Sequence, residues 1–401
     1  MYQLLSGLKV IEASSFVASP TAGLYLAQMG AEVIRIDQAG GGPDFRRWPK
    51  GPSGFSLYWE NLNRAKKSVA LDLSRPEGRE LMQRLSASTG QFITNFPAEG
   101  FLAHGKLAAI NPELVTVRVM GQANGGPALD YTVNSAVGIP GMTGPTELDD
   151  TPVNHVLPAW DLLSGAYAAF AMLAAIQHRT ATGQGQEVRV PLADVAIGTV
   201  ANLGMLAETV QEGQDRPRMG NTVYGAFGRD FVTRDGARLM LLALTPRQWS
   251  GMVEVLGIAG EIAAIEQARG ISFATDEGLR YDHRDALFPL VEARIRTWDR
   301  APLEAALEAK GCCFGSYATM SDAAKDPTLV TNNPIFGRTE NPSGLDYPAP
   351  GPFVTLPSQA RGAPVRAPGL GEHSEEILSR LLNLSDGEIA LLIDRGIVAQ
   401  G

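Results

Sequence analysis

The chain has 401 residues, 44% of them hydrophobic and 19% charged, with a formal net charge of −9. That length exceeds one ordinary hydrophobic core and predicts two domains, while the acidic balance argues against nucleic acid, whose phosphates need a basic face. The only two cysteines, Cys312 and Cys313, are neighbours and cannot staple distant parts of a fold, so a reducing cytoplasm is the expected home.

The opening MYQLLSGLKVIEASSF lacks a basic stretch followed by a continuous apolar one, so no signal peptide is expected. "LKVIEAS" (8–14) reads as a buried strand, "SPTAGLYLAQMG" (19–30) as a helix entered by Ser-Pro and stopped by Gly, and "AEVIRID" (31–37) as a second strand. The alternation continues through strand "KSVALDL", helix "RPEGRELMQRLSAST" and strands "QFITNF" and "ELVTVRVMG". Strands alternating with helices predict an α/β fold with a doubly wound parallel sheet. Ligands of such sheets lie beyond the strand C-termini, here the loops near 14–19, 37–48, 95–99 and 121–126.

An Ala-rich apolar helix is predicted over 162–178, too short for a membrane span, then a turn, a strand and a helix start in "TGQGQEVRVPLADVAIG". The polar stretch "ETVQEGQDRPRMGNTVYGAFGRDF" reads as the exit from the first domain. A hairpin turning at Asp235-Gly236 follows, with helices near 246–257, 284–296 and 301–309 and a strand in "CCFGSYATM". A Pro- and Gly-rich connection over 331–370 leads to two amphipathic tail helices, the second opened by the capping sequence Ser385-Asp386-Gly387-Glu388. The domains are therefore drawn as 1–215, a large Rossmann-like domain; 216–330, a smaller α+β domain; and 331–401, a return connection and helices completing the first.

Several residues carry candidate chemistry. Asp37 follows the first strand at about the distance at which an acid holds a ribose hydroxyl in dinucleotide folds, but the glycine fingerprint is missing, since the turn reads SSFVASPTAG. Arg35, Arg46, Arg47, Arg64, Lys66, Lys67 and Arg75 cluster in the same half. Most are read as a solvated face, with Arg46 and Arg47 the best candidates to grip a carboxylate or phosphate, because they follow a Gly-rich turn at a strand end. "GNTVYGAFGRDF" is either a tight hairpin entry or a lid over a pocket, and His155 either a packed residue or a general acid/base. No G-x-S-x-G elbow supports serine hydrolysis. The cysteines and five histidines offer no metal-ligand spacing, so no metal is expected. Asp161 opens the apolar helix, and two readings stand: a helix cap or an ionised nucleophile.

Taken in order, "GLKVIEASSFVASPTAGLYLAQMGAEVIRID", "NLNRAKKSVALDLSRPEGRELMQRL", "ITNFPAEG", "AWDLLSGAYAAFAMLAAIQHRTATGQGQEVRVPLADVA" and "LGEHSEEILSRLLNLSDGEIALL" resemble the family III CoA-transferases. That family includes formyl-CoA and carnitine-CoA transferases and α-methylacyl-CoA racemases. The resemblance implies that Asp161 is the nucleophile: it attacks an acyl-CoA thioester, becomes an aspartyl-CoA thioester and passes CoA to a second carboxylate, a covalent route that splits one hard exchange into easier ones. The positive end of the helix would keep its carboxylate ionised, and backbone N–H groups near Phe16 and Val17 would meet the oxyanions. The resemblance also implies CoA contacts at Phe16, Val17, Leu71, Arg75, Asn95 and Phe96, no cofactor beyond the CoA of the substrate, and an interlocked homodimer.

Departures from the formyl-CoA branch are Val17 for a Gln, Gln38 for a basic residue, Ser74 for a Lys beside Arg75, and "YGAFGRDF" for a run of glycines. The racemase branch needs a His where Leu129 stands, so transfer is expected rather than α-proton exchange. "GGGPDFRRWP", "DYTVNSAVGIPGMTGP", "VNHVLPAWD" and "GNTVYGAFGRDF" look most like a branch that moves CoA between the two carboxyls of one C5 dicarboxylic acid. This implies an acyl-CoA substrate with a C4–C5 dicarboxylic acyl group, contacted by Arg46, Arg47, Tyr131 and Tyr224. Transfer between separate acids is the alternative, with α-methylacyl-CoA racemisation and a CoA-binding regulator on an inactive fold as more distant ones.

Overall fold

A computed structural model describes residues 1–400. The chain forms two compact units: one from Met1–Val137, His155–Gln211 and the C-terminal stretch beginning at Asp326, the other from Gly138–Asn154 and Glu212–Lys325.

In the first unit the predicted alternation becomes strands β1 (Lys9–Ala13), β2 (Glu32–Gln38), β3 (Lys67–Leu71), β4 (Gln91–Thr94), β5 (Val115–Met120) and β6 (Gln186–Pro191). They form a parallel sheet in the order β3-β2-β1-β4-β5-β6, with Val398–Ala399 added antiparallel on β3. This last strand was not anticipated, being too short to carry a period. The chain runs outward from β1 through β2 and β3, then returns to β4 on the other side. The crevice beyond the C-termini of β1 and β4 is therefore the switch point at which α/β sheets bind ligands. Asn95, just after β4, spans it. Its side-chain amide donates to the Ser15 carbonyl at 2.8 Å and its Oδ1 accepts the Ser15 N–H at 3.1 Å.

Both faces of the sheet are covered, as strands apolar on both sides require. One face packs Ile11, Ile34, Leu85 and Phe92 against Ile377, Leu378 and Ile389 of the tail helices Ser374–Leu382 and Asp386–Asp394. Ser385 and Glu388 form the predicted capping box. The other face is covered by helices Ala18–Gln28 and Ala159–Thr182 through Ala22, Leu26, Ala168, Met172 and Ala175. Small residues allow these two helices to approach closely. A Cβ on Gly165 would fall 2.6 Å from the Ala18 carbonyl oxygen and 2.8 Å from Thr21 Cβ.

The 159–182 helix corrects two expectations. It begins three residues earlier than expected, and at 24 residues it is long and apolar enough, by length and composition, to cross a membrane. Its small-residue face is nevertheless buried against protein, as in the core helix of a globular unit.

The second unit holds an antiparallel sheet of β7 (Phe227–Val232), β8 (Arg238–Ala243) and β9 (Cys313–Ser316). Phe227, Phe231, Leu239 and Leu241 from it pack on Trp249, Phe288, Val291 and Leu303 of the surrounding helices. Asp235 and Gly236 lie in the predicted hairpin turn, within a connection running from Thr233 to Ala237. The "FGRDF" end of "GNTVYGAFGRDF" is strand, and ahead of it the Val223 N–H donates to the Gly228 carbonyl. Helices Ala259–Arg269 and Glu277–Asp282 were not anticipated. Neither was Met205–Glu212, which runs into the start of the stretch expected to be turn-rich.

Candidate active site

The basic cluster is mostly not a solvated face. Arg35, Arg64 and Lys66 are buried: β1 and β2 bring Glu12 and Asp37 beside Arg35, and Glu12 beside Lys66, while Arg64 donates to Asn61 and Asn341. Arg35 donates through Nε to Asp37 at 2.6 Å, through Nη1 to Glu12 at 3.0 Å and Asn63 at 3.1 Å, and through Nη2 to the Ser14 carbonyl at 2.9 Å. Lys66 Nζ meets Glu12 Oε2 at 2.8 Å and donates to the Pro20 carbonyl and to Asn63. Burial pushes the Lys66 ammonium down to about 8, with the Glu12 carboxylate opposing. Asp37 also accepts from Ser68 Oγ at 2.6 Å, so its carboxylate is occupied by this network.

The network ends on Asp44, whose Oδ2 lies 3.7 Å from Arg35 and accepts the Phe16 N–H at 2.9 Å. Phe16 is held in the left-handed region, φ 67°, a conformation that costs on the order of 1 kcal/mol for a non-glycine and persists when its surroundings over-determine it. The expected oxyanion role is thereby corrected at Phe16: its N–H is taken by Asp44.

Arg47 stands over the Phe16 ring at 4.7 Å and the Tyr58 ring at 5.0 Å. Its positive charge bears on Asp161, favouring the ionised carboxylate. Arg46, one residue earlier, is exposed. Asp161 is the third residue of its helix; the cap position belongs to Pro158, which supplies no side-chain bond. The cap comes instead from Asp130, at the start of the helix Asp130–Ala136. Its Oδ2 accepts the backbone N–H groups of Trp160 at 2.7 Å and Asp161 at 2.9 Å. His155 Nε2 lies 2.6 Å from the other oxygen, and Trp160 Nε1 donates to Asn134 at 3.0 Å. Burial, and next the Asp130 charge, push the Asp161 carboxyl up to about 6, with Arg47 opposing. Asp161 is thus not its own cap. It is a partly buried carboxylate, ionised at neutral pH.

Val17, Tyr58, Leu62, Pro158 and Leu162 line an apolar cleft of about 490 Å³, Leu162 being next to Asp161 in the chain. A second cavity of about 400 Å³ lies at the strand ends, lined in part by Ser14, Ser15, Asp44, Ser74 and Phe96.

The structure gathers Phe16, Val17, Asn95 and Phe96 at the β1/β4 switch point. Leu71 departs from the expected CoA set. It is fully buried in the sheet and its carbonyl accepts the Ala39 N–H, so it offers a ligand no side chain. Arg75 donates to the Arg395 carbonyl at 2.7 Å. Tyr131 belongs to the neighbourhood of Asp161: its hydroxyl donates to the Val156 carbonyl at 3.1 Å and its ring meets His155 edge-on. Tyr224 lies in the second unit, under the Arg216 guanidinium. Among the described residues no three His, Cys, Asp or Glu side chains gather as a metal cluster.

Asp130 is not among the residues that the sequence marks as candidate chemistry. Its only local signal is an Asp at a helix start, and nothing in the sequence ties it to a helix end some thirty residues on.

Residues 5–374 match CoA-transferase family III. The chain is 42% identical to 2-methylfumaryl-CoA isomerase of Chloroflexus aurantiacus, over 100% of this chain and 98% of that one. It is 28% identical to succinyl-CoA–D-citramalate CoA-transferase of the same organism, over 97% and 96%. Among solved structures, a CaiB/BaiF family protein from Brucella suis superposes with a TM-score of 0.76 at 28% identity, covering 95% of this chain and 100% of that one.

Proposed function

The chain belongs to CoA-transferase family III, and from that premise we propose that it moves CoA between the two carboxyl groups of 2-methylfumaryl-CoA (mesaconyl-CoA), with Asp161 as the carboxylate that carries CoA in transit. The carrying observation is Asp161 itself: raised to about 6, ionised at neutral pH, under the charge of Arg47 and beside an apolar cleft.

In this reading an Asp161 oxygen attacks the C1 thioester carbonyl. The C–S bond breaks, CoA leaves as thiolate with the electron pair, and a mixed anhydride forms. The thiolate attacks the Asp161 carbonyl carbon, releasing the diacid and leaving an aspartyl-CoA thioester. The C4 carboxylate then repeats both steps in reverse and frees Asp161, with no net proton change. Arg47 holds whichever carboxylate is idle through its bidentate fork; Arg46, being exposed, is the lesser candidate. Retaining the diacid makes the second exchange effectively unimolecular, with effective molarities that reach ~10⁵ M or more.

Incubating mesaconyl-C1-CoA with excess isotope-labelled mesaconate tests this. Unlabelled C4-CoA product and a CoA-sized adduct on the intact protein are expected. Label entering in proportion to the added acid would make the enzyme a transferase between separate acids.

We also infer a homodimer, interlocked as the family resemblance implies. Leu163, Tyr167, Phe170 and Leu173 leave an exposed apolar face on the 159–182 helix. Light scattering is expected to give twice the chain mass of 42.7 kDa; a monomer at micromolar concentration would refute it.

A further inference from the structure

We propose that Asp130 and His155 are positioning residues for CoA transfer, holding the start of the 159–182 helix so that the Asp161 carboxylate stays untethered and presented to the reacting carbonyl. This deepens the reading of Asp161 as the CoA carrier and rests on it.

A carboxylate near the start of a helix has an easy alternative to catalysis: it can fold back onto the unpaired N–H groups of the first turn. Here that alternative is removed. Asp130 takes the N–H groups of both Trp160 and Asp161 with one oxygen. Among the described residues, the Asp161 side chain itself makes no hydrogen bond that would hold it down. Asp130 is only 2% exposed, and such a buried carboxylate needs every lone pair engaged. His155 supplies the remaining contact at 2.6 Å. The His155 ring is in turn set by the Tyr131 ring edge and the tilted Trp160 ring. Asn134, one turn further along the helix that carries Asp130, accepts from the Trp160 indole. Two points on one helix therefore fix the end of another. A misplacement of about 1 Å at a reacting group can cost about a hundredfold in rate, so a cap supplied from outside the helix is a device for aim as well as stability.

The charged and titratable groups bearing on Asp161 are Asp130 from the 130–136 helix, Arg47 from the turn after β2, and Tyr58 from the helix Leu57–Leu62. Of these, Asp130 opposes ionisation of Asp161 and Arg47 favours it.

The test uses the full-length enzyme and the variants Asp130→Asn, His155→Phe and His155→Gln. Asp130→Asn is expected to lower kcat about 10–100-fold with little change in KM, and to move the acid limb of kcat/KM to lower pH by removing the opposing charge. His155→Phe should lower kcat about tenfold, with His155→Gln, which keeps a donor, recovering most of it. A purely structural role would lower thermal stability without moving the acid limb or splitting kcat from KM, and that result would overturn the proposal. Should Asp130→Asn fail to fold, the two His155 variants decide, and equal kcat in both at the wild-type value refutes it. The CoA adduct on wild-type protein is read separately. Its absence overturns the reading of Asp161, whereas its presence with unchanged variants overturns only the positioning pair.

Discussion

Asp130 and Asp161 lie on different helices, yet one carboxylate oxygen of Asp130 accepts the backbone N–H of Asp161 at 2.9 Å. Two acids are thereby brought together at one helix start, where the first uses the favourable N–H groups and the second is left with the unfavourable charge. Burial, and next the charge of Asp130, raise the titration of Asp161.

Asp161→Asn is expected to abolish turnover, by at least about a hundredfold as for removal of other covalent nucleophiles, while leaving the protein as stable or more so. The Asp161 carboxyl titrates near 6 in the folded chain against an ordinary 3.8, so folding takes up a proton between these values. Wild-type stability contributed by this group is lost as pH rises through that window. At pH 7.5 the Asn variant should gain on the order of 1 kcal/mol. Denaturant titrations at pH 4 and 7.5 check both halves; equal stability differences at the two pH values would contradict the assignment.

The rate of CoA transfer should need the ionised form of Asp161, so kcat/KM is expected to fall below about pH 6. Arg47→Met removes the charge that favours ionisation and should move this limb upward, with a loss of about 10–100-fold in kcat/KM from the missing carboxylate grip. Arg47→Lys should keep the limb near its place while losing the fork. A pH–rate series on the three proteins distinguishes these effects.

Gly165→Ala is expected to destabilise the first unit by about 1–3 kcal/mol, because its Cβ would press on backbone and disturb close packing; the nearest atom would be the Ala18 carbonyl oxygen at 2.6 Å. Gly198→Ala, in the helix Leu192–Asn202 with no atom within 4 Å of the new Cβ, should instead be neutral or stabilising by about 0.5–1 kcal/mol. Urea midpoints of the pair make the comparison internal.

Glu12→Gln should cost about 3–5 kcal/mol, the usual result of removing one partner from a buried ion network. Glu12 accepts from Ser14 and Arg35 and faces Lys66, all in the interior. Loss of the charge also loosens the path through Arg35 to Asp44 and Phe16, so activity should fall at temperatures where the variant is still folded. Thermal melts followed by circular dichroism, with activity assayed in parallel, read both.

The alternating strands and helices of the parallel sheet, the tail helices with the Ser385–Glu388 capping box, and Asp161 as the residue of interest were legible in the sequence. Each rests on local periods, on caps a few residues apart, or on a resemblance carried by short motifs. What only the tertiary structure decided is who meets whom. Arg35 and Lys66 read as solvent-facing charges until β1 and β2 set Glu12 and Asp37 beside them. The strand Val398–Ala399 exists only because β3 offers it an edge. Asp130 becomes a cap only when the 130–136 helix meets the start of the 159–182 helix. Hydrophobic period and capping act over a few residues and are written in order along the chain. Charge pairing and capping from outside a helix act through space between residues far apart in sequence, and one sequence carries no signal of that distance until the core has brought them together.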